Sequence, residues 1–192
     1  MNLRFPLPSR AGHRLRSLWR CRRGMAAVEM ALMAPVLIAL LLGTLDLGWR
    51  ILASYKLEHV VATLADLAAR SRELSSDDLD DIFEAASPIA EPFALADAMV
   101  VLSGVRDDTG SQPVVVWQEQ RGSANGETSR IGQPGGSADL DGLLDLDAGE
   151  SVIVAELFFR FDPLVGFVIR EPMDLYFVWV ARPRSGAVTE LL

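Results

Sequence analysis

"RRGMAAVEMALMAPVLIALLLG", residues 22–43, decides how the whole chain is read. Two arginines and a glycine lead into an apolar run that continues to Trp49 and is broken only by Glu29 and Asp46. The 16 residues between those acids carry no charge. Counted from Met25, the run is about 20 residues, enough to cross a hydrocarbon core of roughly 30 Å at ~1.5 Å per residue. It is too long for the apolar region of a secretory signal, and no small-x-small cleavage site closes it. A plain anchor has no use for Glu29. A lone carboxylate inside a span costs on the order of 3 kcal/mol, so its presence calls for a cationic partner.

Upstream, residues 1–24 hold seven arginines and no acid. The other 168 residues hold the remaining 11 basic residues against 26 acidic ones, a net charge of -15. Arginines on the N-terminal flank predict that end cytoplasmic and the rest outside, in the periplasm of a Gram-negative cell. The acidic body excludes nucleic acid as a partner, since phosphate contacts need clustered Lys and Arg. The only cysteine, Cys21, lies in the basic segment. No disulfide within the chain is possible, and the body folds by packing alone.

Downstream, the helical pattern outlasts the apolar run. Ile51, Leu52, Tyr55, Val60, Leu64 and Leu67 recur at three- to four-residue spacing among Arg50, Lys56, Glu58 and Asp66. One helix from about residue 25 to residue 72 is expected, on the order of 70 Å long, with a kink at Pro35. A second helix should start at Ser75 as N-cap, with Asp77 and Asp78 in its first turn. Its stripe is Leu79, Ile82, Phe83 and Ala86, and Pro88 and Pro92 should end it.

Then the period changes. Runs at 98–106, 113–121, 152–161 and 175–182 are rich in β-branched and aromatic residues. The first two are joined by a turn-rich loop at 107–112. In the third, Ile153, Ala155, Leu157, Phe159 and Phe161 share one face, while Val152, Val154, Glu156, Phe158 and Arg160 make a mixed one. The expected fold class is α+β: a long N-terminal transmembrane and amphipathic helix packed on a small four-stranded antiparallel sheet. The divisions are a basic leader (1–24), a transmembrane part (25–49), its amphipathic continuation (50–72) and a periplasmic α+β domain (73–192). The Gly-rich connection 122–149, with a short helix expected near 138–144, is long enough to be functional or mobile.

A basic leader, Gly24, and Glu29 five residues on at the head of an apolar helix together resemble the recognition signal of a prepilin peptidase, as in type IV pilins and pseudopilins. The stretch "GMAAVEMALMAPVLIALLLGTLDLG" (24–48) resembles the start of TadE- and TadG-like pseudopilins of the tight adherence (Tad) system. The segment 148–184, ending in "RPR", is similar to that family's closing pattern of two strands around an aromatic run with a Pro-Leu element. Met30 stands where the family has an aromatic residue.

The resemblance implies a minor pseudopilin that is cut between Gly24 and Met25 and acts in assembly of Flp (type IVb) adhesive pili, with no catalysis of its own. The new Met25 ammonium, on the same or a neighbouring subunit, would be the cation Glu29 awaits, setting subunit register. The implied partners are the prepilin peptidase, other pilins and pseudopilins, Tad assembly components and the inner-membrane bilayer. No cofactor is implied.

Other constellations are weaker. "DLDGLLDLDAGE" (139–150) offers Asp139, Asp141, Asp145, Asp147 and Glu150 as oxygen ligands for calcium. Leu144 takes the position that needs glycine and Leu143 that of the third ligand, so a solvated acidic loop is the preferred reading. Past the leader there is one histidine, His59, and no cysteine, which excludes a His/Cys zinc site there. No G-x-S-x-G elbow is present, and "GQPGG" (132–136) lacks the Gly-Lys-Ser/Thr of a phosphate loop. The alternatives to a pseudopilin are an uncleaved bitopic anchor presenting a small periplasmic binding domain, and a membrane-tethered module that binds calcium or another ligand through the acids of 139–150.

Overall fold

The computed structural model describes residues 22–71, 74–123, 126–140 and 142–184. The basic leader through Cys21, Arg72 and Asp141 lie outside them. Helix α1 spans Arg22–Arg70 without interruption, Pro35 included. Helix α2 spans Ser76–Ala90. A one-turn 3-10 helix, Leu95–Asp97, leads into β1 (Ala98–Asp107), followed by β2 (Val114–Gly122), β3 (Glu150–Phe161) and β4 (Met173–Ala181). The strands form one antiparallel sheet in the order β2-β1-β3-β4. The α+β expectation therefore holds.

The start of α2 follows the sequence signal. The Ser75 hydroxyl accepts from the Asp78 amide at 3.2 Å, and the Asp78 carboxylate accepts from the Ser75 amide at 3.0 Å, a reciprocal capping box. The bonds from the Ser75 hydroxyl and then its amide hold the Asp78 carboxyl below its ordinary value. Its end departs from expectation. Pro88 sits inside the helix, which continues to Ala90 before the cis Glu91–Pro92 peptide. A proline forfeits one amide donor, and packing of the buried Ala86 and Ala90 holds the last turn around it.

One face of the sheet carries the helices. Ala53, Leu57, Val60, Val61, Leu64, Ala65, Ala68 and Ala69 of α1 are fully buried or nearly so, at the three- to four-residue spacing of one helical face. They pack with Leu102, Ile153, Ala155, Leu157, Phe159 and Phe161 of the sheet and Leu79 and Ala86 of α2. This stripe corrects the sequence reading. Val60 and Leu64 belong to it, but Ile51 and Tyr55 are 68% and 69% exposed. The alanines, passed over in a search for large apolar residues, form the face that approaches the sheet because small side chains allow close contact.

The second sheet face is covered too. Val105, Val115, Val152 and Val154 pack under Ile131, Ala138 and Leu140 of the 122–149 connection. The connection is thus a lid over a second core. The helix expected near 138–144 does not form among the described residues: the Leu143 amide donates to the Leu140 carbonyl at 2.9 Å across a β-turn, and Gly142 inside that turn has a left-handed φ of 78° that a helix cannot hold. Gly104 is a close approach: a Cβ there would stand 2.2 Å from Trp117 Nε1, beside the bulge that shifts β1–β2 register.

Candidate functional site

The lower half of α1 is bare. Met25, Leu32 and Leu40 are 72%, 71% and 63% exposed, and the most apolar 18-residue window of the helix has no buried residue. Successive residues Val36, Leu37 and Ile38 are each more than half exposed. They point about 100° apart, so the helix is apolar all round, the signature of a lipid-solvated span. Its mean hydropathy over the window is 2.3, and α1 is long and apolar enough to cross a membrane.

Gly24 and Met25 lie in the first turn, where nothing stands within 4 Å of a Cβ built on Gly24. Glu29 is exposed. It lies four residues after Met25, on the same face, and helical side chains lean toward the N-terminus. Residues so spaced on a helix have Cβ atoms roughly 5–6 Å apart, which puts Glu29 on the same face as Met25, one turn on. An amine created at Met25 could meet it in the same chain or a neighbouring one.

Asp46, a mere interruption in the sequence reading, is the best-bound carboxylate of the helix. It is 0% exposed. Its Oδ1 accepts from the amides of Val165 at 2.9 Å and Gly166 at 3.2 Å, and its Oδ2 from those of Phe167 at 2.7 Å and Val168 at 2.9 Å. Successive amides converge on one anion when a left-handed residue interrupts the chain, and Gly166 supplies it with a φ of 75°. The β3–β4 connection is thereby clasped to α1. The available signal was the pairing of an acid in an apolar run with a Gly-containing "PLVGF" loop, but only the fold brings them together.

Glu156 is the second fully buried carboxylate. It accepts from the Ser129 hydroxyl, from the Arg130 amide at 2.9 Å and from the Tyr176 hydroxyl at 3.0 Å. The Arg130 guanidinium covers the Tyr176 ring at 4.2 Å and the Phe158 ring at 5.5 Å. Burial, with the Glu156 charge beside it, pushes the Tyr176 phenol well above its ordinary value, so it stays a neutral donor. The group is a latch for the lid, and it explains why β3 carries an acid on a covered face.

The acidic loop offers no comparable convergence. Among the described residues no three His, Cys, Asp or Glu side chains gather as a metal site; Asp141 lies outside them. The open cleft between 107–113 and 137–146 contains Asp107, which serves its own turn: it accepts from the amides of Thr109 at 2.8 Å and Gly110 at 2.7 Å and from the Thr109 hydroxyl at 3.1 Å. Glu150 pairs with Arg182 at 3.1 Å. The closing Arg-Pro-Arg has a structural use: the Arg184 amide donates to the Ala69 carbonyl at 3.1 Å, satisfying one orphan acceptor at the end of α1.

The helix that carries Glu29 and Asp46 can be compared with known families. Residues 24–66 match the family model of TadE-like proteins. The match begins at Gly24, includes Glu29 and Asp46 and runs into the buried stripe, leaving the sheet outside it. The likeness is to TadE-like proteins and is confined to these residues. No curated protein and no solved structure matches the chain.

Proposed function

We propose that this TadE-like chain is a minor pseudopilin that acts in assembly of Flp-type adhesive pili. A prepilin peptidase cuts between Gly24 and Met25, and the freed Met25 ammonium pairs with Glu29 of its own or an adjacent subunit. The observation that carries the reading is the coincidence of the family match with a helix exposed all round, headed by a carboxylate one turn beyond Gly24. In a low-dielectric surrounding an ammonium–carboxylate pair is sensitive to register. Residues 25–47 form the packing surface shared with lipid and other subunits. The N-terminus faces the cytoplasm, and the sheet stands in the periplasm, where it meets other assembly components. The role is structural, without catalysis.

The mass of the protein purified from membranes of cells with an active prepilin peptidase tests the reading. Loss of residues 1–24 is expected. A full-length mass would leave an uncleaved anchor in its place. Glu29→Gln is expected to insert and be cut while impairing piliation; normal piliation would remove the register role.

A further inference from the structure

The β3–β4 connection, residues 162–172, sits beside the apolar half of α1. Its amides at 165–168 close on Asp46, and Val168 Cγ2 lies 3.3 Å from where a Cβ on Gly43 would stand. The tip is therefore held level with residues 43–46 of the helix. Leu164, Val165, Phe167 and Val168 are 56%, 43%, 45% and 50% exposed, and no charge occurs between Asp162 and Arg170. These side chains extend the apolar surface of the helix at Leu45 and Leu47, both also exposed.

Depth gives the surface its occupant. From Met25 to Asp46 the helix climbs about 30 Å at ~1.5 Å per residue, the thickness of a hydrocarbon core. The tip thus stands where acyl chains give way to headgroups. Irregular backbone is costly at that depth unless its polar groups are satisfied within the protein, and Asp46 takes four of the tip's amides. A second protein chain would cover one side of α1, whereas its exposed apolar residues run right round it at Val36, Leu37 and Ile38. Lipid meets all sides at once.

We propose that residues 163–169 form a wedge that inserts into the outer headgroup–acyl boundary of the bilayer beside α1. Asp46 is its positioning residue. The body then touches the membrane at two points, which fixes its height and its rotation about the helix axis. The proposal rests on the reading that α1 spans a membrane.

The test uses the full chain, with Cys21→Ser, in vesicles of phosphatidylethanolamine and phosphatidylglycerol at low protein-to-lipid ratio. An environment-sensitive fluorophore is placed on Phe167→Cys and, separately, on Val165→Cys. Reference labels go on Leu37→Cys in the span and Ser111→Cys in the β1–β2 loop, at the opposite end of the sheet. Nitroxides carried near the lipid headgroup are expected to quench the 165 and 167 labels several-fold more than the 111 label, and aqueous iodide should reach the wedge labels several-fold less. Iodide access equal to that at 111 overturns the wedge. Shielding from iodide without lipid quenching also overturns it, in favour of a covering protein chain. A Leu37 label untouched by nitroxides carried deep on the acyl chains would remove the spanning reading and the wedge with it, whereas deep quenching at 37 with free iodide access at 165 and 167 removes the wedge alone.

Discussion

The two halves of α1 share one backbone geometry and differ in what surrounds them in the fold. Below Asp46 the helix carries large apolar residues on every side and buries none of its most apolar window. From Ala53 onward it buries one stripe, in which Leu57, Val60, Val61 and Leu64 are flanked by Ala53 on one side and Ala65, Ala68 and Ala69 on the other. Size and exposure thus run opposite to the rule for a water-soluble helix. Large side chains are bare in the half apolar enough to cross a membrane, and four alanines share the buried stripe with Leu57, Val60, Val61 and Leu64 where a sheet must come close. Asp46 marks the boundary and turns its charge to clasping the loop that lies beside the lower half.

The largest expected difference between the halves comes from Leu64→Ala and Leu40→Ala. Leu64 is 0% exposed among helix and sheet residues, so its truncation should cost about 2–5 kcal/mol of the body's stability. Leu40, 63% exposed, should cost under about 0.5 kcal/mol in the same thermal melt in detergent. Equal losses would mean that the halves share one core.

Glu156→Gln probes the covered face away from α1. The amide nitrogen must face one of the donors that Glu156 now accepts from, which should cost about 1.5–3 kcal/mol. Proteolysis within 122–149 should rise while the helix stays in its membrane fraction. An unchanged melt would show that the apolar contacts of the lid suffice without the latch.

At the boundary, Asp46→Ala should leave the body's melting temperature almost unchanged. Hydrogen exchange at residues 165–168 should speed up by on the order of tenfold, because four amides lose their acceptor. A large fall in melting temperature would instead make the clasp part of the core.

The smallest effect is expected from pH, far from the membrane. Burial pushes the Asp107 carboxyl up, but the amides of Thr109, Gly110 and Ser111 and the Thr109 hydroxyl together bring it below its ordinary 3.8. A lowered folded value contributes stability that is present above the unfolded value and is lost as pH falls through the folded one. The melting temperature should therefore hold above pH ~5 and decline below about 4. Asp107→Asn should make that decline shallower; an identical acid profile would assign it to other carboxylates, Asp78 among them.

Much of the architecture was legible because it rests on local chemistry. The apolar run, the Ser75 cap and all four strands follow from periodicity and side-chain type, and their bounds differ from the expected ones by a few residues. The end of α2 was misjudged at Pro88 because packing outweighed a local rule. The face of α1 above Asp46 was misjudged because alanine gives a weak hydropathy signal, although close approach to a sheet favours it. Of the candidate site, Gly24, Met25 and Glu29 could be singled out in the sequence because the proposal about them rests on spacing along one helix.

The sequence alone determined where the chain is long and apolar enough to cross a membrane, where a helix must begin, and that strands must follow. All of these depend on neighbours a few residues apart. Only the tertiary structure decided what Asp46 and Glu156 are for. Asp46 finds its donors 119 to 122 residues away and Glu156 its own 20 to 27 away. A buried carboxylate needs donors brought from elsewhere in the chain, and no local pattern records which ones will arrive.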